Sequence, residues 1–165
     1  MAAVAPTNGV GNWSQVSGPN TATFSSLVLN NTTVTGLVQG TYVFRWTVSS
    51  GICTPLYDDV SVTVYSSPTI ADAGPDQNLC NVVSATLAGN TIAVGSGLWS
   101  QVSGPAVTFS DASLPNSSVN GMIPGTYVFQ WTSTNGSCIS SDQVTISNSE
   151  LPTASSATPA ISNCL

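Results

Sequence analysis

Residues 40–47 read GTYVFRWT, and the pattern returns as GTYVFQWT at residues 125–132. In both copies the aromatic residues occupy every second position, so they lie on one face of an extended chain. Another stretch, WSQVSGP at residues 13–19, recurs letter for letter at residues 99–105. The two recurrences have offsets of 86 and 85 positions, which indicates that a whole folding unit was copied. The sequence therefore predicts tandem domains, each with a half-buried central strand.

Further strands are predicted on both sides of these motifs, because runs rich in β-branched residues are separated by Gly, Pro, Asn and Ser. The predicted strands are Thr41–Ser49, Asp59–Val64, Ala85–Gly89, Leu98–Val102, Val107–Ser110, Ser117–Asn120 and Asp142–Ile146. Helical periodicity is missing. The pattern predicts an all-β protein of tandem immunoglobulin-like antiparallel β-sandwiches, and the tyrosine that opens the alternating strand resembles the tyrosine corner of such folds.

The period of about 85 residues divides the 165-residue chain into about two domains. We expect a first repeat at 1–66 that is truncated at its N-terminus, a complete second repeat at 67–149 and the start of a third at 150–165. The third assignment rests on residues 152–164, which realign with residues 68–80. An incomplete sandwich leaves strand edges unpaired, so the first repeat tolerates the gap, borrows a strand or is partly disordered.

Eight aromatic residues at matching places in the two copies are expected to form the cores rather than a sugar-binding surface. They are Trp13, Tyr42, Phe44, Trp46, Trp99, Tyr127, Phe129 and Trp131. Other aromatic residues, such as Tyr57 and Tyr65, are candidates for exposed positions that stack on polysaccharide.

Charged residues are scarce, with Arg45 the single basic side chain, seven carboxylates, no His and a net charge of −6. Such a chain cannot neutralise phosphates, so nucleic acid is excluded as a partner and an anionic membrane surface is disfavoured. No apolar run reaches the length that spans a bilayer, so we expect no direct membrane insertion. Because His and Lys are absent, a general base for neutral pH is lacking, and we expect no enzyme and no catalytic residue.

Three carboxylates are candidates for calcium ligands. Asp72 and Asp76 flank Gly74-Pro75 beside the predicted domain boundary, and Asp142 opens the last strand. Carboxylates near a junction can bind Ca²⁺ and stiffen an array of domains. The alternative is that they are solvated or cap turns. Calcium is the one cofactor that the sequence suggests.

Four cysteines recur in pairs, since Cys53 matches Cys138 and Cys80 matches Cys164. The absence of CxxC spacing and of His argues against zinc, and disulfides are the default in an exported chain. A Cys80–Cys138 bond would close a loop of about 58 residues, but sandwich topology places these two residues at opposite poles. Three alternatives stay open: bonds across the repeat junction, the scheme Cys53–Cys80 with Cys138–Cys164, and free thiols.

A family resemblance comes from the motifs in their order. These are ADAGPDQ at 71–77, ATLAGN at 85–90, WSQVSGP at 99–105 and GTYVFQW at 125–131. They resemble PKD-like (polycystic kidney disease) repeats of the REJ type, and they are similar to the tandem repeats of giant Bacteroidetes surface adhesins that serve gliding. The resemblance implies a β-sandwich repeat on the extracellular cell surface, exported by the type IX secretion system, with no catalytic residues.

Two functions are expected from these observations. In the first, neighbouring repeats of the same chain form a stiff, nearly uncharged stalk of an adhesin that transmits force to an adhesive region. In the second, each copy binds surface polysaccharide weakly and the array gains avidity. The first residues lack the basic and apolar regions of a signal peptide, so we expect a processed chain or an excised piece.

Overall fold

The computed structural model describes residues 1–154, and within them the regular secondary structure consists of β-strands. The first compact unit contains Met1–Ser67 with Gly136–Cys138, and the second contains Pro68–Asn135 with the described residues from Ile139 onward. The predicted start of a third repeat, residues 150–165, lies mostly outside the described residues. The all-β sandwich fold that the sequence predicts is confirmed.

The first unit pairs its long strands around the motif at residues 40–47. Its strands are β1 (Val10–Ser17), β2 (Thr23–Phe24), β3 (Val34–Thr35), β4 (Gly40–Ser49) and β5 (Leu56–Val64). Antiparallel pairing gives the sheet order β1-β4-β5, and β2 and β3 form a separate antiparallel ribbon. The register places Trp13 opposite Trp46, so the two copied motifs meet across one strand pair.

The second unit has two sheets. Its strands are β6 (Gln77–Cys80), β7 (Ser84–Thr86), β8 (Ser96–Ser103), β9 (Thr108–Phe109), β10 (Ser118–Asn120), β11 (Gly125–Asn135) and β12 (Cys138–Ser149). One sheet has the order β6-β12-β11-β8 and the other the order β7-β10-β9. The register of β8 and β11 places Trp99 opposite Trp131, as in the first unit.

One strand pair departs from the predicted antiparallel arrangement. Strand β6 runs parallel to β12, with Gln77 opposite Ile146 and Cys80 opposite Ser149. The chain then turns at Asn81, whose φ of 49° lies in the left-handed region and whose backbone N–H donates to Ser149 O at 2.8 Å. This turn lets β7 join the opposite sheet. Because β6 is only four residues long, it shows no alternation by which the sequence could reveal its partner.

Both cores are built from the alternating strand. Each of the eight predicted core aromatics is at most 7% exposed. The rings of Trp99 and Trp131 lie 5.0 Å apart, and those of Trp13 and Trp46 lie 5.1 Å apart. In the second unit, apolar residues from the other strands close the core, namely Leu87, Val119, Met122, Val144 and Ile146.

A tyrosine corner is present in both units. The hydroxyl of Tyr127 accepts a hydrogen bond from Ile123 N–H at 2.9 Å and donates to Ile123 O at 2.7 Å. The hydroxyl of Tyr42 accepts from Val38 N–H at 2.8 Å and donates to Asn20 Oδ1. Each hydroxyl therefore fixes the loop that enters the central strand.

Replacement of Tyr127 with phenylalanine is expected to lower the free energy of unfolding of the second unit by about 1–3 kcal/mol. The Tyr127 side chain is fully buried, and the change would remove the acceptor of the Ile123 N–H. Ile123 O would keep its hydrogen bond from Asn148 Nδ2 at 3.1 Å. Urea denaturation followed by far-UV circular dichroism measures the loss. The matched control is Tyr57→Phe on the exposed Tyr57, and an equal effect of both changes would contradict the interpretation.

Candidate functional site

The first unit has an open groove with a volume of about 890 Å³. Three parts of the chain line it: the N-terminal residues 2–8, the Trp13, Trp46 and Val48 side chains of β1 and β4, and residues 56–60 of β5. The lining is mostly apolar, and its ionisable side chains are Tyr57, Asp58 and Asp59. This arrangement fits an extended apolar segment. It offers no pairing of a nucleophile with a base.

A buried donor in this groove has no partner. Trp46 is 7% exposed, and its indole Nε1–H makes no hydrogen bond to any residue that the structure describes. In the second unit, Trp131 Nε1–H donates to the backbone oxygen and to Oδ1 of Asn90, at 3.2 and 3.1 Å. The position that matches Asn90 is occupied by Val4, which is 86% exposed. An unpaired buried donor costs about 1–3 kcal/mol, so this N–H is a feature that a ligand could satisfy.

The core-facing residues of β5 are also poorly covered. Val60 is 39% exposed, whereas the matching Val144 of β12 is 2% exposed. Strand β12 is flanked by β6 and β11, but in the part of the chain that the structure describes β5 pairs with β4 alone. The other edge of β5 therefore presents backbone donors and acceptors beside the groove.

The single basic residue forms a cluster on the outer face of the same sheet. Arg45 donates from Nε and from Nη2 to the two carboxylate oxygens of Asp59, at 2.7 and 2.8 Å, and its guanidinium lies 3.7 Å from the ring centre of Tyr57. The hydrogen bonds from Arg45 lower the pKa of Asp59, and those same bonds raise the pKa of Arg45. Sequence reasoning missed this cluster, because it depends on which residues of β4 and β5 lie opposite each other. The register Arg45↔Asp59 shows the pair.

The predicted calcium ligands make hydrogen bonds to the backbone. Asp142 Oδ2 accepts from Ala73 N–H at 2.8 Å, and Asp76 Oδ1 accepts from Thr145 N–H at 2.8 Å. Asp72 Oδ1 accepts from Gly74 N–H at 2.9 Å. Within residues 1–154, no three His, Cys, Asp or Glu side chains come close enough together to hold a metal ion. Calcium binding stays a prediction. In the structure Asp76 and Asp142 hold the segment before β6 against β12, and Asp72 caps a turn within the segment.

The cysteines are unpaired as far as the structure describes the chain. Cys53 and Cys80 are exposed and Cys138 is partly buried, each as a free thiol. The geometry does not fit a Cys80–Cys138 bond within one copy, because Cys80 lies opposite Ser149 and Cys138 begins the same β12 strand eleven residues earlier. At about 3.3 Å per residue that separation is several times the reach of a disulfide. The pairings that involve Cys164 lie outside the described residues.

A second carboxylate with a lowered pKa lies in the second unit. Ser113 donates to Asp111 Oδ1 from its hydroxyl at 2.6 Å and from its backbone N–H at 2.9 Å, and these bonds lower the pKa of Asp111. A carboxyl group with a lowered pKa stabilises the fold above its unfolded pKa, and this contribution is lost as the pH falls through the folded pKa.

The change Ser113→Ala is expected to raise the pKa of Asp111 toward its ordinary value, because the hydroxyl bond is the larger cause of the shift. The variant would then gain less stability from the ionised Asp111 carboxylate. It would also lose less stability than the wild type when the pH is lowered. Titration of the Asp111 side-chain carboxyl by NMR measures the shift. Ser113→Thr keeps a hydroxyl and serves as the control. An unchanged pKa in the alanine variant would contradict the assignment.

Comparison with known proteins identifies the family. Residues 10–64 and 73–147 match the family described as K319L-like, PKD domain. The chain belongs to this family. Its PKD repeats are structural modules of extracellular type, and such domains are typically non-catalytic. No described residues form a helix of the length and apolar character that would cross a membrane.

Solved structures that are similar to this chain include the following modules. The PKD domain from KIAA 1837 protein is 32% identical over 58% of this chain and 99% of its own, with a TM-score of 0.46. The fibronectin(III)-like modules of CbhA from Clostridium thermocellum are 14% identical over 94% of this chain and 88% of their own, with a TM-score of 0.49. Domains 1–6 of the surface layer protein SbsC are 16% identical over 87% of this chain and 20% of their own, with a TM-score of 0.37. None of the curated proteins matches the sequence.

Proposed function

We propose that this PKD-like protein is a non-catalytic structural repeat of an extracellular bacterial adhesin, in which successive copies form an extended stalk. The copied core carries the proposal. The Trp13–Trp46 and Trp99–Trp131 pairs repeat with nearly the same spacing, and Phe24–Phe44 repeats as Phe109–Phe129 in the same edge-to-face arrangement. A protein that copies its core in this way gains length or valency.

The cellular role follows from the sequence resemblance to repeats of the flavobacterial gliding-motility adhesin SprB. In this proposal the type IX secretion system exports the parent protein to the cell surface, and neighbouring repeats of the same chain are its partners. The repeats bear force between the cell and the substratum. The proposal requires no cofactor and no enzyme activity.

Bead tracking on the source cells tests this role. Antibody raised against residues 1–154 is attached to latex beads, and the beads are followed on live cells. Beads that travel along the cell support a gliding adhesin whose repeats bear force. Beads that bind and stay fixed contradict the gliding part and leave a static stalk. Beads coated with pre-immune antibody are the control.

A second candidate function is weak binding of polysaccharide. Its support is the exposure of Tyr65, which is 45% exposed, and of Tyr57, which is 62% exposed. One face of Tyr57 is covered by the Arg45 guanidinium, so a sugar could stack only on the other. A glycan array probed with the protein displayed in many copies would detect such binding. Loss of the signal in Tyr57→Ala and Tyr65→Ala variants would support this function over the stalk alone.

A further inference from the structure

The groove of the first unit has a covered counterpart in the second unit. There the segment of residues 68–80, the covering segment, lies against the matching positions. Ala71 N–H donates to Ser140 Oγ at 3.0 Å, and Ala73 N–H donates to Asp142 Oδ2 at 2.8 Å. Both alanines are buried, and Ala73 is fully so. The covering segment then continues as β6, which pairs in parallel with β12.

The covering segment is also held at its start and middle. Thr69 Oγ1 accepts from Ala93 N–H and Val94 N–H at 3.0 and 2.9 Å. Asn90 Nδ2–H donates to Ile70 O at 2.8 Å, while Asn90 Oδ1 accepts from Asp72 N–H at 3.0 Å. Most of these contacts come from residues 90–94 and from β12, which have counterparts in the first unit, whereas the bond from Gln77 to Thr86 O of β7 has none.

The counterparts in the first unit line the groove. Residues 88–94 match residues 2–8 at an offset of 86, and Asp142 and Val144 match Asp58 and Val60 at an offset of 84. The match extends to the backbone, since Gly9 and Gly95 have φ angles of 95° and 97°. The groove therefore retains the backbone of residues 7 and 8, the free edge of β5 and the Asp58 carboxylate. The side-chain partners Ser140 and Asn90 are replaced by Leu56 and Val4.

A copy of the covering segment exists in the sequence. Residues 152–164 read PTASSATPAISNC, against PTIADAGPDQNLC at residues 68–80. Thr153 and Ala157 retain the residue types of Thr69 and Ala73. Thr158 stands at the place of Gly74, whose φ is 79°, so the backbone there differs in the copy. No acidic residue occurs in residues 152–164, so the segment adds no charge beside Asp58 and Asp59.

We propose that the groove and the free edge of β5 in the first unit bind residues 152–164 of a second copy of the chain, by strand addition. The incoming segment adds a parallel strand to β5 and covers Val60. Ala157 occupies the place of Ala73 and donates its backbone N–H to Asp58. The contact joins two different surfaces, so it links copies either by reciprocal exchange in a dimer or head to tail in rings and open chains. It does not depend on the cellular role proposed above.

Sedimentation velocity of the full chain over a wide concentration range tests the association. We expect the wild-type sedimentation coefficient to rise with concentration. Ala157→Glu places a charge at a position whose counterpart is fully buried, so association should weaken by about tenfold or more. Ser162→Glu is the matched control, because its counterpart Asn78 is exposed, and it should associate like the wild type. A wild-type chain that stays monomeric, or an Ala157→Glu variant that associates equally well, would overturn the proposal.

Disulfide trapping tests the register. The pairing Cys80↔Ser149 in the second unit predicts that Cys164 of the second copy lies opposite Tyr65. With Cys53, Cys80 and Cys138 replaced by serine, Tyr65→Cys should form an intermolecular bond to Cys164 on mild oxidation, identified by peptide mass spectrometry. Leu56→Cys, exposed on the same strand about 30 Å away, should not form this bond. Equal trapping at both positions, or none at residue 65, would contradict the proposed register.

Discussion

Replacement of Trp131 with alanine is expected to lower the free energy of unfolding of the second unit by about 3–5 kcal/mol. Its side chain is 1% exposed, it packs on Trp99 at 5.0 Å, and its N–H is bonded to Asn90. The change would leave a cavity that the paired strands β8 and β11 cannot collapse into. Urea denaturation with tryptophan fluorescence and circular dichroism measures the loss.

The equivalent change in the first unit provides the comparison. Trp46→Ala removes a side chain that is 7% exposed, and it also removes an N–H that has no partner among the described residues. Relief of the unpaired donor offsets part of the packing loss, so the first unit should lose less free energy than the second. Equal losses in the two units would contradict the assigned difference. Leu98→Ala, at a position that is 56% exposed, should have little effect on either unit.

Replacement of Asp142 with alanine is expected to destabilise the second unit by about 1–3 kcal/mol. The carboxylate is the acceptor for the N–H of the fully buried Ala73, and its removal would leave that N–H unpaired. The covering segment would then exchange its amide protons faster. Hydrogen exchange followed by mass spectrometry over residues 68–80 and chemical denaturation both measure the effect.

Asp58→Ala is the matched control for this prediction. Asp58 holds the equivalent position on β5. Its carboxylate accepts no hydrogen bond from the residues that the structure describes. At concentrations where the chain is monomeric, its loss should change stability by less than about 0.5 kcal/mol. If Asp58→Ala proved as costly as Asp142→Ala, the role of Asp142 in holding the covering segment would be wrong.

The parts of the fold that the sequence predicts are the strands in which apolar and polar residues alternate. The alternation of Tyr127, Phe129 and Trp131 is enough to place a central strand with one buried face, and its recurrence predicts a second copy. Strand β4, Gly40–Ser49, agrees closely with the predicted Thr41–Ser49. Strand β12 begins earlier than predicted, because its first four residues, Cys138–Ser141, carry no sustained apolar alternation.

The remaining features depend on contacts between distant residues. The bond from Ala73 to Asp142 joins residues 69 positions apart, and neither residue type signals its partner. The position of these carboxylates beside the domain boundary predicts calcium ligands, but it does not reveal their hydrogen bonds to distant backbone N–H groups. The unpaired edge of the first unit is expected from its predicted truncation. The apolar groove beside that edge could not be predicted, because it emerges only when Val4 is compared with Asn90 and Val60 with Val144 in the folded units.

The central claim is that a segment of the sequence type found at residues 68–80 completes each sandwich. Its most direct test is calorimetric unfolding of the full chain with and without a synthetic peptide of residues 68–80. A ligand that binds the folded state raises the unfolding temperature of the unit that it binds. We expect the peptide to raise the unfolding temperature of the first unit and to leave that of the second unit unchanged. A peptide in which Ala73 is replaced by glutamate should have no effect. An unshifted first transition, or an equal shift of both, would contradict the claim.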